Sequence, residues 1–408
     1  MKKMLQETIA TATVATTLLG GIAASAEATN TDSEKGTDMG EMLVTASRTE
    51  EAVVTVSANT TVITAEDIAN TTAQNVPDVL KYHAGIQVSD WLGNGRNTGV
   101  DIRGFGETAS ANTLVLVDGR RINAPDLSGI DWTTIPLERI ERIEVVRGGG
   151  SVLYGDNATA GVINIITKTG APETPLRIQT DTQFGSYETF KQSLSASGGE
   201  GPWSWNVNGS YFDGDGYRDN GYFRNKTGGL RLGYDNGGLF AIDLSAGYKD
   251  DRYGLAGWLP ANYDDRQDTL FPFDYVDTRE SYVQLVPSFR LTGNTTFSLG
   301  LNYRDSHQFS LFAPFTAEST LYEYGISPQV ISSQLWFGMT HELVTGVDFA
   351  SSKLHYLQGL YTGDRHRREA GFYVRDKIGL TEKLFLDLGY RRSRTRYDFE
   401  NATDDTYS

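Results

Sequence analysis

The pattern of hydrophobic and polar positions follows two different rules along this chain, and the rule changes near Pro172. Before it, apolar residues come in short unbroken runs separated by helix and turn signals. Residues 60–64 read as a strand. Thr64-Ala65-Glu66-Asp67 has capping-box spacing, in which a hydroxyl and a carboxylate each satisfy an orphan backbone N–H, so a helix is expected to open there. Asn75-Val76-Pro77-Asp78 starts a second helix carrying Val79 and Leu80, with Gly85 as its stop. Residues 114–117 are wholly apolar and end in Asp118-Gly119, as a buried strand does when it runs into a turn. A short helix is expected after Pro136, and residues 143–146 and 162–167 read as two more buried strands. Residues 50–172 therefore predict a compact domain mixing helices and strands.

After Pro172 helical periodicity disappears, and strands of about ten residues alternate apolar with polar side chains. In 203–211, Trp203, Trp205, Val207 and Tyr211 oppose Ser204, Asn206, Asn208 and Ser210. In 240–248, Phe240, Ile242, Leu244, Ala246 and Tyr248 oppose Ala241, Asp243, Ser245 and Gly247. The same split recurs in 297–304 and 384–391. A soluble β-sandwich also alternates, because one face packs on a core. Two details favour an antiparallel transmembrane barrel. The polar face is often charged, as suits a hydrated lumen, and aromatic residues gather near strand ends, where the membrane interface would lie. Short and long links also alternate: residues 234–239 read as a tight turn, and residues 249–280 as a long acidic loop. Pro287, inside the candidate strand 282–291, departs from the pattern because it removes a ladder donor.

Composition sharpens this picture. The 408 residues give room for two or three domains. There is no cysteine, which excludes disulfides and thiolate metal sites, and a net charge of −16 argues against nucleic acid as a partner. No internal stretch approaches the roughly 18 apolar residues of a membrane helix, so hydropathy alone suggests a soluble acidic protein. Only the alternation argues otherwise. Residues 1–26 have the form of a cleaved export signal: Lys2 and Lys3, then small apolar residues over 9–23, then Ala24-Ser25-Ala26, with Glu7 an awkward charge within it. Residues 27–40 are polar enough to be a disordered tether.

Five stretches then carry a resemblance, in order. They are Glu41-Met42-Leu43-Val44-Thr45-Ala46 followed by Ser47-Arg48; residues 100–106 around Ile102-Arg103-Gly104-Phe105; residues 114–120; residues 140–148; and residues 151–155 with 161–168. Together they resemble the TonB-dependent outer-membrane receptors. The resemblance implies an α+β plug domain followed by an antiparallel transmembrane β-barrel of about 22 strands. Residues 173–408 leave room for about eleven or twelve strands at roughly 20 residues each with its connection. The chain is therefore expected to be an N-terminal fragment holding about the first half of that barrel.

By the same resemblance, Glu41, Met42, Leu43, Val44, Thr45 and Ala46 form the TonB box, gripped by the energised inner-membrane protein TonB. An extended segment on a polar tether suits strand addition, in which main-chain hydrogen bonds supply the grip. Arg103 and Arg147, each before a glycine at the end of a plug strand, are implied to lock the plug against glutamates of the barrel wall. The loop holding Trp91, Asn94, Arg96 and Asn97 is a candidate substrate-contacting tip. It lacks the spacing and following helix of a phosphate loop.

Other chemistry is thin. His83, His307, His341, His355 and His366 show no ligand spacing and are expected on the surface or in loops. Ser151 lies in no nucleophile elbow. Asp250, Asp251, Asp264, Asp265 and Asp268 are acidic without calcium-loop order, and read as a solvated loop. No cofactor, resident metal or enzymatic activity is expected. The implied function is active uptake of an iron–siderophore complex or cobalamin across the outer membrane, with outer-membrane lipid around the barrel. The alternatives are a signalling receptor, whose extra periplasmic domain of roughly 80 residues would not fit in residues 27–40, and a passive porin or adhesin barrel.

Overall fold

The computed structural model describes residues 43–44, 48, 51–52 and 59–403, apart from residues 84, 91–97, 126–128, 149–150, 264, 266, 360 and 382–383. The expected signal, tether and substrate-contacting loop lie outside the described residues.

The first part of the described chain is a mixed domain. Strand β1 (Asn59–Thr64) leads into helix α1 (Ala65–Ala69) through the expected capping box: Asp67 N donates to Thr64 Oγ1 at 3.1 Å, and Thr64 N to Asp67 Oδ2 at 2.8 Å. Helix α2 (Val76–Leu80) is capped by Asn75 and buries Val76, Val79 and Leu80. A hairpin follows, of β2 (Ile86–Asp90) and β3 (Thr98–Ile102). Helix α3 (Ala109–Asn112) precedes β4 (Thr113–Val117), and β5 (Ile140–Arg147), helix α4 (Ser151–Tyr154) and β6 (Gly161–Thr167) complete the domain.

The central sheet runs β1-β5-β6-β4 and ends on a two-residue strand, Arg120–Arg121. Only the β4–β6 pair is parallel. The turn into Arg120–Arg121 is Asp118-Gly119, with both residues at positive φ (49° and 79°). That is the type I′ geometry Asp-Gly favours in two-residue hairpins. Ile63, Leu80, Ile102, Val115, Trp132, Ile143, Ile163 and Ile165 close the core.

The second part is one antiparallel sheet of eleven strands among the described residues, each paired with its neighbours in sequence. They are β7 (Arg177–Phe184), β8 (Phe190–Glu200), β9 (Trp203–Gly214), β10 (Phe223–Asp235), β11 (Phe240–Gly254), β12 (Tyr275–Thr292), β13 (Thr295–Phe312), β14 (Phe315–Trp336), β15 (Met339–Gln358), β16 (Tyr361–Thr381) and β17 (Leu384–Thr403). The expected alternation holds. In β16, Glu369, Gly371, Tyr373, Arg375 and Lys377 are buried against the inside, while Arg368, Ala370 and Phe372 are exposed outside.

Strand extents depart from the sequence expectation. Strands run from 8 to 22 residues, because pairing continues beyond the segment in which apolar side chains mark one face. The acidic stretch 249–280 is correspondingly not one loop. Lys249–Gly254 and Tyr275–Glu280 pair as strand, leaving only 255–274 as connection. Asp250 and Asp251 thus sit on β11, apart from Asp265 and Asp268. Four of the five histidines are also on strands, and His341 is buried against Asp376 at 2.8 Å, not in a loop. Pro287 stays within β12, paired with Ile242, while the β12–β13 ladder skips from Leu285 to Ser288. The missing N–H is absorbed on that side.

Two rings of outward aromatics bound the apolar band. One runs through Trp203, Tyr234, Phe240, Phe289 and Phe297 with successive centroids 4.8–6.4 Å apart. The other includes Phe184, Phe190 and Tyr211, and the Tyr303–Tyr324 pair. Continuing one position lower per strand, as tilted strands require, this second ring takes in Tyr248, Phe349, Phe372 and Tyr390, all exposed. No helix among the described residues is long and apolar enough to cross a membrane.

Candidate functional site: the seam between plug and barrel

The first domain packs on the inner face of the eleven-stranded sheet, and β4 shows why it is apolar throughout. Alternation sends Val115 and Val117 into the domain's own core and Leu114 and Leu116 the other way, where Leu153, Tyr154, Val162, Val344 and Tyr373 cover them. The rest of the seam is polar. Arg231 Nη1 donates to Asp118 Oδ1 at 3.0 Å and to Thr167 O at 2.9 Å, while Gln284 Nε2 donates to Asp118 O at 2.9 Å. Lys249 bridges Asp131 and Asp251, and Thr133 donates to Asp251 at 3.0 Å. Lys191 pairs with Glu138, Arg139 donates to Tyr282 at 2.8 Å, and Arg367 meets Asp156 at 3.3 Å. Arg120 stacks over the Tyr282 ring at 4.0 Å, and Arg304 binds Glu280 and Glu323 while reaching Ile122 O. Most ion pairs across the seam set a barrel cation against a plug carboxylate.

The two arginines expected to lock the plug lie near its first strand and the Gly148 turn. Arg103 is exposed at φ 70°, its guanidinium packed over Gly148. Arg147 is half-buried and donates to Asn59 at 3.2 Å and Thr61 at 2.7 Å, both on β1. Sequence reasoning passed over the seam residues because each is an ordinary charged residue on an alternating strand or in a turn.

It also passed over Arg48. Residues Leu43–Val44 are extended and pair antiparallel with Glu51–Ala52; Glu41, Met42, Thr45 and Ala46 lie outside the described residues. Arg48, at φ 67°, inserts a side chain only 14% exposed into the barrel wall. Its two Nη atoms donate to Asp348 at 3.1 and 3.0 Å and one also to Tyr373 Oη at 2.6 Å. The guanidinium lies over the rings of Tyr154 and Tyr373, at 4.7 and 4.4 Å. Burial works against its charge, but the field of Asp348 outweighs it, so the pKa of Arg48 is raised. Arg391 shares the same carboxylate at 2.8 Å and donates to Leu153 O at 3.1 Å. The latch thus joins the N-terminal segment, α4 and three barrel strands.

A mixed-sheet plug bonded to the inner face of an eleven-stranded meander with two aromatic rings defines a plug-and-barrel fold. Residues 52–162 match the family model described as TonB-dependent Receptor Plug Domain. Among curated proteins the chain is 35% identical over 223 residues to the vitamin B12 transporter BtuB of Vibrio vulnificus, covering 53% of this chain and 34% of that protein. It is 34% identical over 229 residues to BtuB of Photobacterium profundum, covering 52% and 37%. In fold it is similar to the unliganded ferric citrate transporter FecA, with a TM-score of 0.77 at 21% identity over 86% of this chain and 58% of that one. The ferripyoverdine receptor of Pseudomonas aeruginosa matches with a TM-score of 0.77 at 17% identity, covering 96% and 60%. The matched stretch spans about a third of the length of these curated relatives.

Proposed function

We propose that the chain serves active uptake of a scarce nutrient complex across the outer membrane, with TonB taking hold of residues 41–46. The observation that carries this reading is the latch. An extended segment that can accept an added strand is followed, within a few residues, by an arginine bonded to the barrel wall. Tension on residues 41–46 would reach Arg48 first, then α4, and then the polar seam. A seam held mostly by hydrogen bonds and ion pairs, with one apolar patch around Leu114 and Leu116, can open and rehydrate while exposing little apolar surface.

The loop carrying Trp91, Asn94, Arg96 and Asn97 is assigned to the substrate side of the plug, and Arg103 and Arg147 to the plug's lock. Cobalamin is the substrate we favour over an iron–siderophore complex, because the curated relatives are vitamin B12 transporters. The test is deletion of residues 41–46 in the full-length receptor. Cobalamin binding should persist while TonB-dependent accumulation falls to background. Normal accumulation would sink the mechanism, and binding of a ferric siderophore in place of cobalamin would change the substrate alone.

A further inference from the structure

The turn at Asp118-Gly119 delivers Arg120 and Arg121 to a cavity of about 120 Å3 between the plug and the wall formed by β13–β17. Six arginines line this cavity, against three carboxylates, Glu323, Asp348 and Glu369. Each carboxylate is already engaged. Glu323 accepts from Arg304 at 3.0 Å, Glu369 from Arg367 at 2.7 Å, and Asp348 from both Arg48 and Arg391. Arg121 donates instead to Tyr154 O at 2.9 Å and Asp156 O at 3.1 Å. Arg120 is the surplus cation.

Arg120 is only 5% exposed, and no hydrogen bond or ion pair is found for its guanidinium among the described residues. Its one close contact is the Tyr282 ring at 4.0 Å, which returns only part of the cost of burying a lone charge. Burial holds its pKa below the ordinary guanidinium value, and the nearby charge of Arg304 acts in the same direction. Glu280 is also near, but Arg304 holds it at 3.2 Å. Asn302 and Ser327 line the same cavity, and no hydrogen bond is found for their side chains among the described residues. Water can bond to these groups, yet it leaves the like charges of Arg120 and Arg304 facing each other. A small anion bonds to them and offsets the charge. The planar fork of a guanidinium suits the oxygens of an oxyanion in particular. The cavity lies well below the roughly 300 Å3 at which pockets for whole organic ligands begin, so a small ion fits and a nutrient complex does not.

We propose that Arg120 anchors a free inorganic oxyanion of the phosphate type in this cavity, with Asn302 and Ser327 completing its hydrogen bonds. Bound there, the ion ties the plug to the wall. The test is equilibrium dialysis of the detergent-solubilised full-length receptor, first freed of phosphate, against radiolabelled inorganic phosphate at fixed ionic strength. Wild type should bind a single phosphate per chain saturably. Arg120→Gln should weaken that binding by at least about tenfold, the scale of a lost charge-assisted hydrogen bond. Arg120→Lys should weaken it less, and Arg279→Gln, which removes an exposed barrel arginine, should leave it unchanged. The urea concentration at which the plug becomes protease-sensitive should also rise with phosphate in wild type and stay fixed in Arg120→Gln. Absence of saturable binding by wild type, or equal binding by wild type and the glutamine variant, would overturn the proposal. Displacement of the phosphate by added cobalamin would assign the cavity to an anionic group of the nutrient, and would overturn it too. If heat-modifiable mobility shows that Arg120→Gln does not fold, the wild-type isotherm and its weakening in Arg120→Lys decide the matter.

Discussion

Arg48 and Asp348 concentrate the residue-scale chemistry. Asp348 serves two arginines, Arg48 and Arg391, so the two halves of the latch are not equivalent. Arg48→Ala leaves Asp348 paired with Arg391 and should cost about 2 kcal/mol, in the range of a lost charged hydrogen bond. Asp348→Asn leaves two largely buried guanidinium groups without their shared anion and should cost about 3 kcal/mol. Both substitutions should raise the mobile fraction of a spin label at Thr45, and Asp348→Asn should lower the thermal midpoint more. Equal midpoints for the two variants would show that Arg391 draws little from Asp348. Sequence alone marked the segment before Arg48 but not Arg48 itself. Nothing local distinguishes an arginine that finds a carboxylate 300 residues away.

At the scale of elements, the plug sheet is set by close approach at Gly161. A Cβ there would come within 2.4 Å of the Val146 carbonyl oxygen, where β6 pairs with β5. Gly161→Val should therefore part the two strands and destabilise the plug by about 2 kcal/mol or more. Faster proteolysis of the plug within an intact barrel would reveal it, and an unchanged rate would refute the steric argument. Asp118 is the complementary case, a turn residue recruited to the seam. It accepts Thr167 N at 2.9 Å, Thr167 Oγ1 at 2.7 Å and Arg231 at 3.0 Å. Asp118→Ala should remove the turn's anchor and Arg231's partner together, lowering the urea concentration at which the plug becomes protease-sensitive. The turn itself was legible from Asp-Gly between apolar runs, whereas its grip on β10 was not.

For the whole molecule, the contrast is between a continuous ladder and a polar seam. Each barrel strand is paired along most of its length, while the plug is held to the wall by discrete hydrogen bonds, ion pairs and one apolar patch around Leu114 and Leu116. Urea competes well with such polar contacts and poorly with a closed or lipid-covered ladder. Unfolding is accordingly expected in two stages, with the plug opening to protease while the barrel keeps its heat-modifiable mobility. A single coincident transition would contradict this and tie the plug's stability to that of the barrel.

Local and periodic features were settled by the sequence itself. The capping box at Thr64, the Asp118-Gly119 turn, the buried runs of β4 and β6, and the period-two faces of β9, β11, β13 and β17 all depend on neighbours a few residues away. The balance of apolar burial fixes them almost wherever the chain goes. Strand length was not readable, because pairing beyond the apolar band is held by backbone hydrogen bonds that any side chain permits. The tertiary structure alone decided which charges matter. Inward and outward positions on β16 and β17 carry the same residue type, and only the packing of sheet and plug brings Arg367 to Asp156 and sets Arg391 against Asp348 two strands away. Arg368 and Arg394 are left facing outward beyond the aromatic ring.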